Sequence, residues 1–536
     1  MTTDSTARVG AGGRGLAGVP DRRRFLAMGA AAGAGALVTG GSGLGVAGPG
    51  VGGPRTRDWE ALRARLSTHR LFRPGQRGYN VAKELFDPRF DTKTPAGVAY
   101  CGTAQDVSAC VNFARSFRMP IAARSGGHGY GGWSSVTNGL VVDVTPMNSF
   151  AVGSGPAGEG TVRVGTGTFL IDLYDHLSSR GLAIPGGSCP TVGIAGLTLG
   201  GGVGVLSRVY GLTSDNLVSA QIVTADGIVR TCDARTNSDL FWACRGGGGG
   251  NFGIATSFTL RTHPLSRVVL FFLRWPWSQA ARVVAGWQSW APHQHDALWS
   301  NLHLIAPAGF GTPKVSVGGT YVGSTSGAAS LLSRLYQLIG HSPTSTFLKS
   351  ESYLSAMLVE AGCASLSVDQ CHLPGQAPGG ALPRVPQFAK SDFFTRPLNA
   401  TGIRALLGGI ERLRGVRGAS GGGGALAFDA FGGALNRVGA SATAFVHRNA
   451  LFLAQYTTSW NWPGSSGGVA NQHAWLRSYY ASVHPHASGQ AYQNYIDPDL
   501  TNWPQAYYGA NYARLQQVKR KYDPHRLFNF PQAITP

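Results

Sequence analysis

"RSGGHGYGGWS", residues 124–134, places five glycines in eleven positions around one histidine, His128. Glycine has no side chain, so successive backbone N–H groups in such a loop can approach a ligand closely and converge on it. Two more glycine-dense stretches follow, "GGSCPTVGIAGLTLGGGVGVLSR" (186–208) and "CRGGGGGNFGIAT" (244–256). A single glycine loop is often only a turn, but three in one region predict a site for a large cofactor that carries phosphates.

Several familiar nucleotide and catalytic motifs are missing from these loops. The segment "GTGTFL" (165–170) lies between a predicted strand and a predicted helix, but it lacks the third glycine of the dinucleotide-binding fingerprint. No Walker lysine follows any glycine loop. No serine lies in G-x-S-x-G and no paired carboxylates stand out, which disfavours a hydrolase. A nicotinamide Rossmann fold and a P-loop NTPase therefore both fit poorly.

Composition indicates a globular protein of two domains. The 536 residues are 43% hydrophobic and 13% charged, which is outside the range of disordered chains. The net charge is +20, yet the basic residues are scattered, and "VKRKY" (518–522) is the densest cluster beyond the N-terminus. We therefore expect no nucleic-acid partner. We expect a monomer or homodimer.

The N-terminus has the pattern of an export signal. "DRRRFLAMGAAAGAGALVTGG" (21–41) joins consecutive arginines to a weakly apolar, glycine-rich run. This pattern resembles a bacterial twin-arginine signal over residues 1–47, with cleavage after Ala47; the alternative is a disordered basic tail. No other stretch offers about twenty consecutive apolar residues, so we expect a secreted protein without a membrane span. Twin-arginine substrates leave the cytoplasm folded, which suits a protein that carries a cofactor.

Seven cysteines leave one unmatched if the other six pair. Cys363 and Cys371 bracket a short loop, and Cys101 with Cys110 and Cys232 with Cys244 are further candidate disulfides in an exported protein. Sequence alone leaves the connectivity of these six open. No CxxC occurs, so we expect no structural zinc site and no metal.

The hydrophobic pattern predicts an α+β fold. Short strands and helices alternate from about residue 98 to 263, including a hairpin that turns at "DG" (226–227). From "VVLFFLRWPW" (268–277) onward the strands become longer and more aromatic, among them "TAFVHR" (443–448) and "LFLAQYTTSW" (451–460). These strands, grouped around helices, predict an antiparallel sheet with helices covering one face.

Five ordered motifs together resemble one known family. The three glycine stretches, the segment "GLTSDNLVSAQIVTADG" (211–227) and the C-terminal "YQNYID" (492–497) are similar to the berberine-bridge-enzyme-like branch of the FAD-linked oxidases of the vanillyl-alcohol oxidase and p-cresol methylhydroxylase type. The resemblance runs from about residue 94 to 534. It implies an FAD-binding domain made of two small α/β subdomains (55–267), a substrate-binding domain (268–489) and a C-terminal segment (490–536) that returns to the FAD domain.

The resemblance also assigns roles to individual residues. It implies a bond from the His128 ring to the flavin 8α-methyl carbon and a bond from the Cys189 sulfur to flavin C6, so the flavin would be held bicovalently. Leu197 stands where many plant members have a histidine, which puts details of the flavin surroundings in doubt. The remaining residues expected to bind FAD are Arg124, Ser125, Gly126, Gly127, Gly129, Gly187, Val192, Gly193, Gly196, Leu199, Gly200, Asp215, Asn251, Phe252, Gly253, Ile254 and Asn494.

The family's active-site positions fall on Tyr492 and Gln455. Some members have a glutamate where this chain has Gln455, which makes Tyr492 the expected catalytic base, assisted by Tyr495. A tyrosine ordinarily titrates near 10, so a basic Tyr492 is expected to have a lowered pKa. The alternative is that Tyr492 is a structural aromatic packed on the flavin.

The resemblance implies a secreted oxidase that transfers a hydride from an alcohol carbon of a sugar or glycosylated natural product to FAD and reduces O2 to H2O2. Alternatives are a flavin dehydrogenase with another electron acceptor, an oxidative cyclase or tailoring enzyme, and a binding protein that has kept the fold without activity.

Overall fold

The computed structural model describes residues 52–153, 160–307 and 311–536. The predicted export signal lies outside these ranges. The strands are β1 Leu71–Phe72, β2 Gly97–Tyr100, β3 Ile121–Arg124, β4 Leu140–Asp143, β5 Phe150–Gly153, β6 Thr161–Gly165, β7 Leu182–Ala183, β8 Leu217–Val223, β9 Val229–Asp233, β10 Ile254–Arg261, β11 His263–Pro264, β12 Arg267–Trp275, β13 Leu298–Ala306, β14 Lys314–Tyr321, β15 Ser345–Ser352, β16 Gln387–Phe394, β17 Gly423–Ala430 and β18 Phe452–Ser459.

Helices connect and cover these strands. The α-helices are α1 Thr56–Arg65, α2 Tyr79–Ala82, α3 Ala104–Ser116, α4 Leu170–Ser178, α5 Ile194–Leu199, α6 Ser207–Tyr210, α7 Ser238–Ala243, α8 Ala280–Trp290, α9 Thr325–Ile339, α10 Tyr353–Glu360, α11 Ala400–Arg412, α12 Ala434–Arg437, α13 Ser466–Val483, α14 Trp503–Tyr508 and α15 Tyr512–Tyr522. Short 3-10 turns are Pro88–Phe90, Thr213–Asn216, Trp277–Gln279, Ala291–His293, Asp369–Cys371, Leu413–Gly415, His484–His486 and Gly509–Asn511.

The N-terminal half contains two small sheets. The first has the order β1-β2-β4-β3, with β4 parallel to both β2 and β3. The second is antiparallel, with the order β5-β6-β10-β8-β9, and it includes the predicted hairpin as the β8–β9 pair. The mixed helices and sheets of this half agree with the fold predicted from the sequence.

The third large sheet is antiparallel and has seven strands, in the order β15-β12-β14-β13-β17-β18-β16. Helices α8, α9, α11 and α13 contribute Trp287, Leu335, Leu406 and Leu476 to a core that also contains Leu304 and Phe428 of the sheet. Because side chains alternate across a strand, this leaves the other face of the sheet to line a cavity. The expected sheet with helices on one face is therefore confirmed.

The segment 443–448, expected to be a strand, is instead a loop. Its backbone bonds to the C-terminal end of α7 and the residues just after it, with Ala444 N donating to Trp242 O and Phe445 N donating to Arg245 O. The Asn511 side chain donates to the carbonyl of Thr443. The apolar side chains fill a core beside Phe393, so they are buried without a strand partner.

One of the three expected disulfides is present. Cys363 and Cys371 are bonded, with their Cα atoms 5.9 Å apart. The other two candidate pairs are not bonded in the structure: Cys101 and Cys110 are buried thiols whose sulfurs lie 3.7 Å apart, and Cys232 and Cys244 are likewise buried thiols. The hydrogen bond between the two thiols of each pair, followed by burial, raises the pKa of Cys101 and Cys244, which disfavours the thiolate, the form that reacts. Within the described ranges, no helix combines the length and apolar character needed to cross a membrane.

Candidate active site

A cavity of about 2020 Å³ lies between the three glycine loops and the uncovered face of the seven-stranded sheet. Pockets for a single small ligand usually measure roughly 300–1,000 Å³. This cavity therefore has room for a large cofactor together with a substrate. One side of the cavity is lined by residues of the glycine loops, and the other by residues of β12, β13, β14, β17 and β18.

Close backbone packing explains why glycine is required at the floor. A Cβ on Gly193 would lie 1.9 Å from Ser125 Oγ, and a Cβ on Gly126 would lie 2.3 Å from Gly193 N. The first and second glycine loops thus touch backbone to backbone. Gly196 also lines the cavity, and a Cβ there would meet no atom within 4 Å, so its bare backbone is open to a ligand.

His128 is held against the wall by two neighbours. Its Nε2 lies 2.8 Å from Thr191 Oγ1, and its ring stacks on Phe86 at a centroid distance of 4.0 Å. Burial lowers the pKa of the imidazole to about 3, so the ring is neutral at neutral pH. A neutral imidazole keeps a nitrogen lone pair, which is what a nucleophile needs.

Cys189 lines the same cavity as His128, two residues before the threonine that contacts His128. Its side chain is exposed, and it is not part of the disulfide. Tyr130 and Tyr495 line the same cavity, and burial, with a smaller contribution from the charge of Cys189, raises the pKa of both phenols. The two residues expected to hold the flavin, His128 and Cys189, therefore line the same cavity.

Tyr492 is buried, and its phenol oxygen accepts two hydrogen bonds. Gly202 N donates at 2.9 Å and Asn494 Nδ2 donates at 3.0 Å. Burial nevertheless raises the pKa of Tyr492 to about 12. The lowered pKa expected of this residue is therefore wrong, because the desolvation of a phenolate outweighs the two donors. The phenol is protonated at neutral pH and needs an acceptor for its own proton before it can take another.

Gln455 and Tyr495 complete the group that was expected at this position. The Tyr495 ring lies 5.0 Å from the Tyr492 ring. Gln455 Nε2 donates to the hydroxyl of Tyr130 at 2.7 Å. Tyr130, which the sequence reasoning missed, connects the His128 loop to the sheet; its position two residues after His128 was the available signal.

Asp429 is the second residue that the sequence reasoning missed. It lies on β17, where Asn301 and Leu453 are its register partners on the adjacent strands, and it lines the cavity. Its negative charge contributes to raising the pKa of Tyr492 and Tyr495. Gln455 on β18 has an amide and no carboxylate, but Asp429 on the neighbouring strand β17 provides a carboxylate. The signal was "GGALAFDAFGG" (423–433), where the aspartate alternates with small residues on one face.

Most of the other residues expected to bind FAD line the cavity. These are Ser125, Gly126, Gly127, Gly129, Gly187, Val192, Gly193, Gly196, Leu199, Asn251, Gly253, Ile254 and Asn494. Asn251 is fixed in place, since its Nδ2 donates to Gly247 O and its Oδ1 accepts from Ile534 N.

Four expected residues are directed elsewhere. Arg124 borders the cavity, but its guanidinium is paired with Asp143 and donates to Ala82 O. The Asp215 carboxylate is held by two hydrogen bonds from Arg448 and does not line the cavity. Phe252 belongs to the hydrophobic core, and Gly200 lies under Asn494, where a Cβ would lie 1.9 Å from Oδ1. Of these four, only Arg124 lines the cavity, and the contacts of Asp215, Phe252 and Gly200 hold neighbouring loops in shape.

The cavity wall fits a cofactor with many polar groups. Ser135 Oγ and Gln532 Oε1 are buried and have no hydrogen-bond partner within the described chain, and both residues line the cavity. Buried polar atoms are nearly always paired, and at the wall of a cavity a bound ligand can provide the missing partner. Together with the exposed glycine backbone, they fit the ribose, phosphate and ring polar groups of FAD.

Comparisons with known proteins agree with this site. Residues 95–233 match the model of an FAD binding domain, and residues 491–535 match the model described as berberine and berberine like. The chain is 32% identical over 462 residues to the uncharacterized FAD-linked oxidoreductase YgaK of Bacillus subtilis, covering 85% of this chain and 95% of that protein.

Solved structures show the same fold. The berberine-bridge-enzyme-like protein 1 of Physcomitrella patens is 31% identical with a TM-score of 0.78, covering 88% of this chain and 98% of that one. A chitooligosaccharide oxidase is 25% identical with a TM-score of 0.76, covering 89% of this chain and 100% of the other. The chain therefore belongs to the berberine-bridge-enzyme-like family of FAD-linked oxidoreductases.

Proposed function

We propose that this protein is a secreted FAD oxidase that removes a hydride from an alcohol carbon of a sugar or glycosylated natural product and reduces O2 to H2O2. The observation that carries the proposal is the meeting of His128, Cys189 and Tyr492 in one cavity large enough for cofactor and substrate. The similarity to a chitooligosaccharide oxidase supports a saccharide substrate. Export rests on the twin-arginine pattern of residues 1–47.

Bound FAD would supply the hydride acceptor and the electrons for O2. We propose that His128 and Cys189 hold it covalently, the neutral imidazole through the ring nitrogen that does not contact Thr191. Thr191 then fixes the orientation of the ring, because its hydroxyl occupies Nε2. The glycine backbone at Gly126, Gly193 and Gly196 would accommodate the phosphates.

The substrate hydroxyl must lose its proton as the hydride leaves. Because the pKa of Tyr492 is raised, its phenol is protonated and cannot accept this proton unless it releases its own. We propose that Tyr492 accepts this proton while its own proton passes to the Asp429 carboxylate. Tyr495 is close enough to Tyr492 to assist. Asp429 thus takes the place of the carboxylate base that Gln455 cannot provide.

Mass spectrometry of the acid-denatured protein tests the covalent attachment. We expect the purified chain to carry the mass of one FAD and to remain yellow after acid precipitation. His128→Ala and Cys189→Ala are each expected to retain one attachment, and the double variant none. A colourless wild-type chain with the mass of the polypeptide alone would refute the covalent proposal.

A dehydrogenase with a different electron acceptor is the second candidate. One structurally similar grass pollen allergen is described as having glucose dehydrogenase activity, and its two-residue variant is described as a glucose oxidase, so this fold serves both kinds of acceptor. Oxygen consumption and dye reduction, compared with the same substrate, separate the two. An oxidative tailoring role is a third candidate, since a tetrahydroberberine oxidase is a relative.

A further inference from the structure

We propose that the cleft binds an extended acidic substrate, a glycoside or oligosaccharide that bears a carboxylate beyond the unit that is oxidised, and that Arg274 and Lys314 bind this carboxylate. The inference rests on the proposed oxidation of a sugar alcohol at Tyr492. It goes beyond that proposed function by stating the charge and the length of the substrate.

Strand register places both cations on the cavity face of the sheet. Arg274 on β12 is opposite Ser316 on β14, and Ser316 is opposite His303 on β13. Lys314 is two residues before Ser316, so it projects to the same face and is diagonal to Arg274. All four residues line the cavity that contains His128.

Neither cation has an acidic partner within the described parts of the chain, where no ion pair or side-chain hydrogen bond involves the Arg274 guanidinium or the Lys314 ammonium. Two exposed cations outside the cavity do have acidic partners, since Arg437 is paired with Asp296 and Lys521 with Asp239. Two like charges on neighbouring strands repel each other, so an anion between them would be stabilising. The planar guanidinium matches a carboxylate with two parallel hydrogen bonds.

The distance from the reacting group sets the length of the substrate. The row that starts at Arg274 runs through Ser316, His303 and Ala427 to Gln455. Four strand spacings of about 4.8 Å separate the ends of this row, which gives roughly 19 Å between backbones. An alcohol oxidised near Tyr492 and a carboxylate bound by Arg274 must therefore lie several sugar units, or a sugar and a long aglycone, apart.

The test uses the FAD-loaded enzyme and two matched trisaccharides, trigalacturonate and neutral galactotriose, which differ in the carboxylate at C6. Binding is measured without oxygen from the change in the flavin absorbance spectrum, which requires no turnover. The variants are Arg274→Gln with Lys314→Gln, and the control Arg437→Gln, which removes an exposed cation outside the cavity lining.

We expect the wild type to bind trigalacturonate about tenfold or more tightly than galactotriose, the scale of one charge-assisted hydrogen-bonded pair. The double variant should lose this preference and keep its affinity for galactotriose, and Arg437→Gln should behave as the wild type. Equal affinities in the wild type, binding of neither sugar, or an unchanged preference in the double variant would overturn the proposal. Selective binding with no flavin reduction by any sugar would support the acidic subsite and count against sugar oxidation.

Discussion

At the scale of single residues, the active site combines a buried phenol with a nearby carboxylate. Tyr492 has two donors on its oxygen and a pKa raised to about 12 by burial, so ionisation of this tyrosine alone supplies little base at neutral pH. The charge of Asp429 raises the pKa further and also offers a place for the proton. Their roles can be separated by substitution.

Tyr492→Phe removes the group proposed to accept the substrate proton. Because general base catalysis usually contributes about 10²–10⁴-fold, we expect flavin reduction to slow by that factor while the attached flavin is retained. Stopped-flow reduction without oxygen measures the effect. Tyr79→Phe is the control, since Tyr79 is also buried but donates to Pro95 O outside the cavity. Full reduction rates in Tyr492→Phe would mean that this tyrosine is a packing residue.

Asp429→Asn removes the proposed proton acceptor. At pH 7 we expect flavin reduction to be slower by about 10²-fold or more. The rate should then rise about tenfold per pH unit from pH 7 toward 10, because only the phenolate form of Tyr492 can act and its fraction grows with pH below the pKa. The wild type should show no such rise in this range. A flat profile at the wild-type rate would exclude Asp429 from the proton path.

At the scale of elements, the C-terminal helix α15 is tied to the third glycine loop by a buried lysine. Lys519 donates to the carbonyls of Asn251 and Phe528 and to the Asp523 carboxylate. Its side chain is completely buried. The loop that lines the cavity at Asn251 therefore depends on a helix more than 260 positions later in the chain.

Lys519→Met tests this connection. Breaking a buried ion pair leaves the other charge unpaired and typically costs about 3–5 kcal/mol, so we expect a large fall in the free energy of unfolding and weaker retention of FAD in variants without covalent attachment. Lys521→Met on the same helix breaks an exposed pair with Asp239 and should cost less than about 1 kcal/mol. Chemical unfolding followed by fluorescence compares the two. Equal effects would show that the buried network contributes nothing specific.

At the scale of the whole molecule, buried contacts join the glycine-loop half to the seven-stranded sheet. Arg208 of α6 donates to the carbonyls of Leu298, Pro292, Gln294 and Phe431. Burial lowers its pKa to about 10, so it stays charged at neutral pH. Tyr353 and Met357 of α10 also share a core with residues of α4 and α5.

These contacts predict one cooperative unfolding transition. Flavin fluorescence and circular dichroism should give the same midpoint for the wild type, since neither half keeps a complete core alone. Arg208→Met removes the donor from three buried carbonyls, at about 1–3 kcal/mol each, and from the part-buried carbonyl of Gln294, so the midpoint should fall sharply. Arg437→Met, which breaks an exposed pair with Asp296, is the control. Two well-separated transitions in the wild type would contradict this coupling.

The local sequence was sufficient for several parts of this description. The glycine loops, the α+β pattern, the "DG" hairpin and the short Cys363–Cys371 loop depend on neighbours in the chain and were predicted correctly. The loop at 443–448 was not, because Phe445 is buried in a core with Leu212 and Phe393, which are distant in the chain, rather than in a sheet. Patterns of apolar residues report burial but not the partner that provides it.

The sequence by itself therefore determined the family motifs, the two kinds of sheet and the residues expected to hold FAD. Only the tertiary structure decided that Asp429 lines the same cavity as Tyr492, that Tyr130 bonds Gln455, that Asp215 pairs with Arg448, and that Arg274 and Lys314 share one face of the cleft. These relations join strands and loops that are far apart in the chain. The pKa of Tyr492 likewise depends on burial by the whole fold, which no local motif records.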